Sequence, residues 1–362
     1  MSRDNFERNI YEKIEGLPDP SANLALHGHE AIMEEMAAAF ASGRMHHAWL
    51  INGIKGIGKA TLAYRFANHI FHYSTKGEAP QEFFNPGPED ADHNQLASGA
   101  HPNLIHMARP YDSKSKNFKS RLSVDEVRRT LAFFGLTAAG GGWRVAIVDP
   151  AEDMNANAAN ALLKILEEPP KKSLFLLVCN APGKLLPTIR SRCREISARP
   201  PDIEAMGKAL EHLYGSDRKF VDNIHTIHAL SEGSVRKAIQ LIESDGLKHY
   251  SAFLSLIEKS GNKPANWPAI HALAEQLSRV NNAGSHALFI DLVMGFLARR
   301  VRGQDEPLSN PQYMQHLRSI PLARWADVWE KVQQSSRLAE SFNLDRKQVI
   351  LSIFHDLLDV TK

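Results

Sequence analysis

The sequence predicts an α/β protein: a parallel sheet carrying a phosphate-binding loop, followed by an all-helical half. Three observations predict it. His46–Thr61, HHAWLINGIKGIGKAT, reads as an apolar strand, a glycine-rich turn and the start of a helix. Apolar runs then alternate with helical periods to about residue 198, the pattern of parallel strands joined by crossover helices. Beyond Arg199-Pro200-Pro201 no strand signal returns, and apolar residues recur at helical spacing.

At 362 residues the chain has room for two or three domains. With 43% hydrophobic and 23% charged residues it has the balance of an ordinary globular protein. A formal charge of +2 excludes a strong global electrostatic grip on DNA and leaves only a local patch. Cys179 and Cys193 are the only cysteines, which excludes a disulfide scaffold and a four-cysteine zinc site and fits a reducing cytoplasm. The opening MSRDNFERNIYEKIEG has no apolar core of signal-peptide length, and no run approaches about 18 apolar residues. The expectation is a cytoplasmic protein with no membrane span.

Residues 1–23 are polar and end in Pro18-Asp19-Pro20-Ser21, an extended lead-in. Gly28-His29-Glu30 opens a helix with Ile32, Met36, Ala39 and Phe40 on its apolar side, and Gly43 closes it. The strand Ala48–Ile51 then feeds the turn containing Gly53, Gly56, Gly58 and Lys59, which fits G-x-x-x-x-G-K. Glycines let backbone N–H groups converge on an anion. The helix N-terminus adds partial positive charge, and the lysine reaches the terminal phosphates. The position that should offer a hydroxyl to Mg²⁺ is Ala60, and Thr61 comes one residue late.

Residues 74–100 are rich in Gly, Pro, Asn and Asp and read as an irregular insertion. His93, His101 and His106 in and beside it lack metal-ligand spacing and are expected as solvated loop histidines. Leu104–Met107 is a short strand, Ser123 caps a helix running to about Phe134, and Gly140-Gly141-Gly142 turns the chain into Trp143–Asp149. Four apolar residues ending in Asp149 have the form of a Walker B strand, whose carboxylate meets nucleotide-bound Mg²⁺; capping the next helix is the alternative role. Pro150 follows where a catalytic glutamate would stand, with Glu152 and Asp153 expected to point elsewhere on the turn. The next helix runs from Asn155 to Glu168, with Ala159, Leu162, Leu163 and Leu166 on one face. The strand Leu174–Asn180 reads as buried on both faces. Leu186–Cys193 follows with Arg190 and Arg192, and Arg194 comes directly after it. Residues 202–246 form a short helical bundle containing Gly233-Ser234-Val235-Arg236. The remainder is helical, clearest over Ala287–Arg300 and Val349–Leu358.

Three segments together, HHAWLINGIKGIGKAT, RVAIVDPAEDMNANAANALLKILEEPP and FLLVCNAPGKLLPTIRSRC, resemble bacterial clamp-loader subunits of the AAA+ class, and most of all the delta-prime family of DNA polymerase III. The resemblance is close over roughly residues 24–240 and architectural beyond. It implies a P-loop AAA+ domain over 1–198, a helical lid over 199–246 and a helical oligomerisation collar over 247–362. It implies work beside tau/gamma and delta subunits in a hetero-pentamer that places a sliding clamp on primer-template DNA. The family's motor subunits have Ser or Thr after the P-loop lysine and Glu after the Walker B aspartate; Ala60 and Pro150 depart from both. The sensor-1 threonine falls at Asn180, and the sensor-2 arginine at Arg236. The four-cysteine module that many members carry has no cysteine here, so no zinc is expected. ATP or ADP would bind, if at all, through Gly53, Gly56, Gly58, Lys59, Ala60, Thr61, Asp149, Asn180 and Arg236 without hydrolysis. What is kept is Ser191-Arg192-Cys193, whose arginine in this family contacts the γ-phosphate held by a neighbouring subunit; on its own residues Arg192 reads as an exposed arginine at a corner. Arg190 and Arg194 are candidates for inter-subunit contacts. The resemblance thus implies a stator within the polymerase assembly, without intrinsic ATPase activity. The rival is an active motor using Glu152 or Asp153 as its acid.

Overall fold

The computed structural model describes residues 14, 17–74, 79–112, 117–119, 121–135, 141–215, 217, 219–260, 264–279, 283–342 and 344–361. Most of the expected lead-in, Gly140 and part of the 260–268 stretch lie outside them. The chain divides into two compact units, Met1–Ser216 and Asp217–Lys362.

In chain order the first unit contains α1 (Glu30–Ala41), β1 (Ala48–Asn52), α2 (Lys59–Tyr73), α3 (Ala91–Ala97) and β2 (Leu104–Met107). The antiparallel pair β3 (Tyr111–Asp112) and β4 (Asn117–Phe118) follows. Then come α4 (Val124–Gly135), β5 (Arg144–Val148), α5 (Ala156–Glu167), β6 (Ser173–Cys179), α6 (Pro187–Arg190), β7 (Arg194–Ser197) and α7 (Ile203–Tyr214). Five strands form one sheet in the order β2-β5-β6-β1-β7, and every neighbouring pair is parallel. This is the expected α/β fold built on a parallel sheet.

Successive side chains of a strand face opposite ways, and here both faces are covered. Ala48, Leu50, Ala146, Val148, Phe175 and Leu177 pack on the α4–α6 side with Val127, Phe134, Leu162 and Ile189. Trp49, Ile51, Val145, Ile147, Leu174 and Leu176 pack on the α1–α2 side with Met36, Leu62, Phe66 and Ile70. The continuous apolar runs β1, β5 and β6 follow from that double burial. Asn155 caps α5 by accepting the Ala158 N–H at 2.8 Å, so Asp149 is not the cap of that helix.

The insertion after α2 differs from expectation. It contains α3, capped by Asp90, whose carboxylate accepts the His93 N–H at 2.7 Å. His93 and His101 are buried rather than solvated. The His101 ring stacks on Phe71 at 3.9 Å, and His106 lies 5.9 Å from the Tyr64 ring. The reason lies in α2, whose residues Thr61–Phe71 are all buried, so the insertion supplies one of its walls and its rings become packing groups. Among the described residues no group of three or more His, Cys, Asp or Glu side chains is placed to hold a metal.

The second unit is helical among its described residues: α8 (Ile224–Ser231), α9 (Val235–Glu243), α10 (Gly246–Ser260), α11 (Trp267–Ser278), α12 (Ala283–Val301), α13 (Pro311–Ser319), α14 (Leu322–Phe342) and α15 (Arg346–Val360). The stripes read from sequence, including Leu292, Phe296, Ile353 and Phe354, fill its own core. Phe253 meets Phe289, Phe296 and Phe354 edge-on at 5.6–5.7 Å. No helix among the described residues is long and apolar enough to cross a membrane.

A buried charged cluster lies inside this unit. Arg299 Nε donates to Glu306 Oε2 at 2.9 Å, its Nη2 donates to the Tyr250 hydroxyl at 2.9 Å, and that hydroxyl donates to Glu306 Oε1 at 2.8 Å. Removing one partner of such a buried pair leaves the other charge uncompensated. Glu306→Ala is therefore expected to destabilise this unit by about 3–5 kcal/mol, and Glu306→Gln by less. Denaturant titration followed by the fluorescence of Trp325, which lies 5.8 Å from Phe296 in the same core, checks this.

Candidate functional site

β1, β5 and β6 are adjacent and parallel, so the residues following them emerge at one edge of the sheet. The glycine loop follows β1, Asp149 follows β5 and Asn180 follows β6. Gly53, Gly56 and Gly58 have φ of +155°, +85° and +100°. Two of them are also fixed by space. A Cβ at Gly53 would lie 2.5 Å from the Ala198 carbonyl oxygen, and one at Gly58 would lie 2.8 Å from Leu26 Cδ1. The α2 N-terminus has no side-chain cap, so its first N–H groups are free for an anion. Beneath the loop, the buried His29 holds the Ile57 carbonyl through Nε2 at 2.6 Å. Burial lowers the pKa of His29, so the ring donates as a neutral imidazole.

Lys59 is 3% exposed and turns back onto its own loop. Its Nζ donates to Gly53 O at 2.8 Å, Ile54 O at 2.5 Å and Asn180 Oδ1 at 2.8 Å. An ammonium has three protons, and each has an acceptor. Burial pulls its pKa from 10.5 down to about 8, against the opposing pull of Asp149 and Glu152.

Glu152 departs from the sequence reading. It was expected to point away, yet the Asn180 N–H donates to its Oε1 at 3.0 Å and Oε2 at 3.2 Å, and Asn180 Nδ2 donates to Oε1 at 2.9 Å. Ala151–Asp153 is a single tight 3₁₀ turn. It sends Glu152 back to the loop edge and Asp153 to Arg109, 3.2 Å away. Ala60 is half-buried and offers no hydroxyl, while Thr61 is buried. These residues fit a phosphate at the loop and helix N-terminus, but they lack the hydroxyl that holds Mg²⁺ in P-loop NTPases.

Arg192 lies at the other edge. β7 is parallel to β1 with Arg194 opposite Trp49, so the residues just before β7 sit beside the start of β1, a strand length of roughly 15 Å from the loop. Its Nη2 lies 2.7 Å from Glu167 Oε1, and its Nη1 donates to Thr188 O at 3.1 Å. Ile189 and Cys193 turn inward onto the core. Arg190 pairs with Glu195 at 3.0 Å. Arg194 pairs with Glu35 at 2.5 Å and lies over the Trp49 ring. Burial pushes the Cys179 and Cys193 thiols up to about 12, so neither is a nucleophile near neutrality.

Residues 28–202 match the family model described as "DNA polymerase III, delta subunit". The delta-prime subunit of DNA polymerase III from Pseudomonas aeruginosa is 31% identical over 262 residues, 72% of this chain and 75% of that one. The chain belongs to the delta-prime family of DNA polymerase III subunits. The delta-prime subunit of Escherichia coli is 33% identical over 217 residues, 59% of each chain. The E. coli tau subunit is 29% identical over 220 residues, 60% of this chain but only 32% of tau.

The region that this family model matches contains the glycine loop, Asp149, Asn180 and Arg192. Arg236 lies outside it, half-buried in the first turn of α9 in the second unit. At the loop edge the structure brings together Lys59, Asn180 and Glu152, with Asp149 acting on Lys59 through its charge. Sequence reasoning missed His29, for which Gly-His-Glu ahead of a helix was the available signal. It also missed the inward turn of Glu152.

Because Glu152 raises the pKa of Lys59, Glu152→Gln is expected to move it further below about 8. Lysine-selective ¹³C NMR across pH 6–11 (roughly the window these values span) reads this directly. The linkage has a definite sign: from about pH 8 to 10.5 the unfolded chain holds the Lys59 proton and the native chain does not. Stability from this group therefore rises across that window.

Proposed function

We propose that this chain is a non-hydrolysing stator of the DNA polymerase III clamp loader, supplying Arg192 to a neighbouring motor subunit's ATP site. The observation that carries the reading is the separation within one domain. Arg192 stands at the sheet edge opposite the chain's own glycine loop, so a phosphate it contacts belongs to another chain. Phosphoryl transfer spreads negative charge over the equatorial oxygens, and a planar guanidinium in a partly dehydrated interface stabilises it. Membership in the delta-prime family supports tau/gamma and delta subunits as the partners, with the sliding clamp and primer-template DNA reached through the assembly in the cytoplasm. The division into a P-loop domain over 1–198, a lid over 199–246 and a collar over 247–362 belongs to this proposal, as does passive ATP or ADP binding at the loop, with Arg236 as a lid contact.

The missing hydroxyl at Ala60 and the proline at 150 support the absence of hydrolysis. A second reading has one specific observation in its favour: the Glu152 carboxylate sits at the loop edge, where a motor would use an acid. Both of its oxygens accept from Asn180, which favours a structural role.

The test is clamp- and DNA-stimulated ATP hydrolysis by the reconstituted complex, with assembly of each variant checked by sizing. Arg192→Ala is expected to slow the one site it completes, by roughly 10³–10⁵-fold where fingers of this kind are strongest. Glu152→Gln is expected to leave turnover unchanged. A fall with Glu152→Gln and none with Arg192→Ala would establish the motor reading instead.

A further inference from the structure

The Arg192 side chain is held by two groups on two different elements, and this bears on how it acts. α6 is four residues long and starts with Pro187. Its Ile189 is fully buried, and Cys193 packs against the same core. The Thr188 carbonyl accepts from both the Ser191 hydroxyl and Arg192 Nη1, each at 3.1 Å. Glu167, the last residue of α5, lies 2.7 Å from Nη2, and Ile165 and Leu166 before it are buried in that core as well. Both anchors of the guanidinium therefore stand on backbone fixed by one packed core.

We propose that Glu167 is a positioning residue for Arg192: with the Thr188 carbonyl it pre-orders the guanidinium at the sheet edge before a neighbour's phosphate arrives. This rests on the trans role proposed above. A guanidinium has five N–H groups, and these two contacts use two of them, leaving donors for a phosphate. The strength of the pair also fits orientation rather than locking. The Arg192 and Glu167 side chains are 36% and 49% exposed, and pairs of that kind are weak and exchangeable. An arginine already held in one rotamer loses less side-chain freedom on meeting phosphate, so the benefit appears in turnover rather than in ATP affinity.

The test is a double-mutant cycle in the reconstituted complex, using Glu167→Ala, Arg192→Ala and both together. Assembly is checked by sizing, and Glu167→Gln serves as a second variant that keeps the shape and an acceptor. Glu167→Ala is expected to lower stimulated kcat about three- to fivefold with the KM for ATP unchanged, the scale set by an exposed pair. Glu167→Gln is expected to recover part of that loss, and the double variant to be no slower than Arg192→Ala alone. If Glu167→Ala is silent or accelerating while Arg192→Ala slows the complex, the positioning role is overturned and the trans arginine survives. The role is equally overturned if the two effects multiply. If Arg192→Ala is itself silent, the trans reading falls and this inference falls with it.

Discussion

All five strands of the sheet run the same way, and that polarity decides where chemistry can stand. β1, β5 and β6 end at one edge, so the glycine loop, the turn after Asp149 and Asn180 meet without long connections to bring them there. β7 begins at the opposite edge, and Arg192 comes just before it. The distance between the two is set by strand length, which no side-chain rotation spans. Parallel order rests in turn on burial: Leu50 and Leu177 on one face and Ile51 and Leu176 on the other need helices over both.

Burial imposes a second condition at the loop edge. An ammonium with almost no exposure must find all its acceptors in protein, and Lys59 finds them in two loop carbonyls and Asn180. The amide of Asn180 then has its polarity fixed, oxygen toward the cation and nitrogen toward Glu152. Glu152 closes the circuit with a compensating charge. The circuit gives the Lys59 ammonium its three acceptors without a hydroxyl at position 60.

What the sequence made legible follows the strength of the local signal. The glycine loop could be read because three positive-φ positions and a lysine leave little choice of residue, and β5 and β6 because double burial demands unbroken apolar runs. β7 was not read as a strand: Arg194-Glu195-Ile196-Ser197 holds one apolar residue, which is all that a strand paired only with β1 at the sheet margin requires. The helix α3 was hidden by its length of seven residues and polar composition, although Asp90 as its cap was present in the sequence. The buried His93 and His101 were misread because residue type suggests solvent, whereas a helix as fully enclosed as α2 takes its wall from whatever segment is nearby. Glu152 was missed for a different reason: a single 3₁₀ turn has no periodicity to read.

Two charged arrangements of this domain differ in exposure, and that difference assigns them different physical behaviour. Lys59 is buried and its charge is met by Asn180, itself bound to the half-buried Glu152; leaving that buried ammonium unpaired would cost several kcal/mol. Arg192 and Glu167 meet where water reaches both, and a pair of that kind contributes roughly 0.2–1 kcal/mol. The first is therefore fixed, and the second exchanges its partner readily. On the trans role proposed for Arg192, a phosphate, with more charge than a carboxylate and oxygens arranged for a guanidinium fork, would displace Glu167 at little cost. The same fold thus holds a buried, fully accepted cation at one edge of its sheet and a half-exposed, paired one at the other.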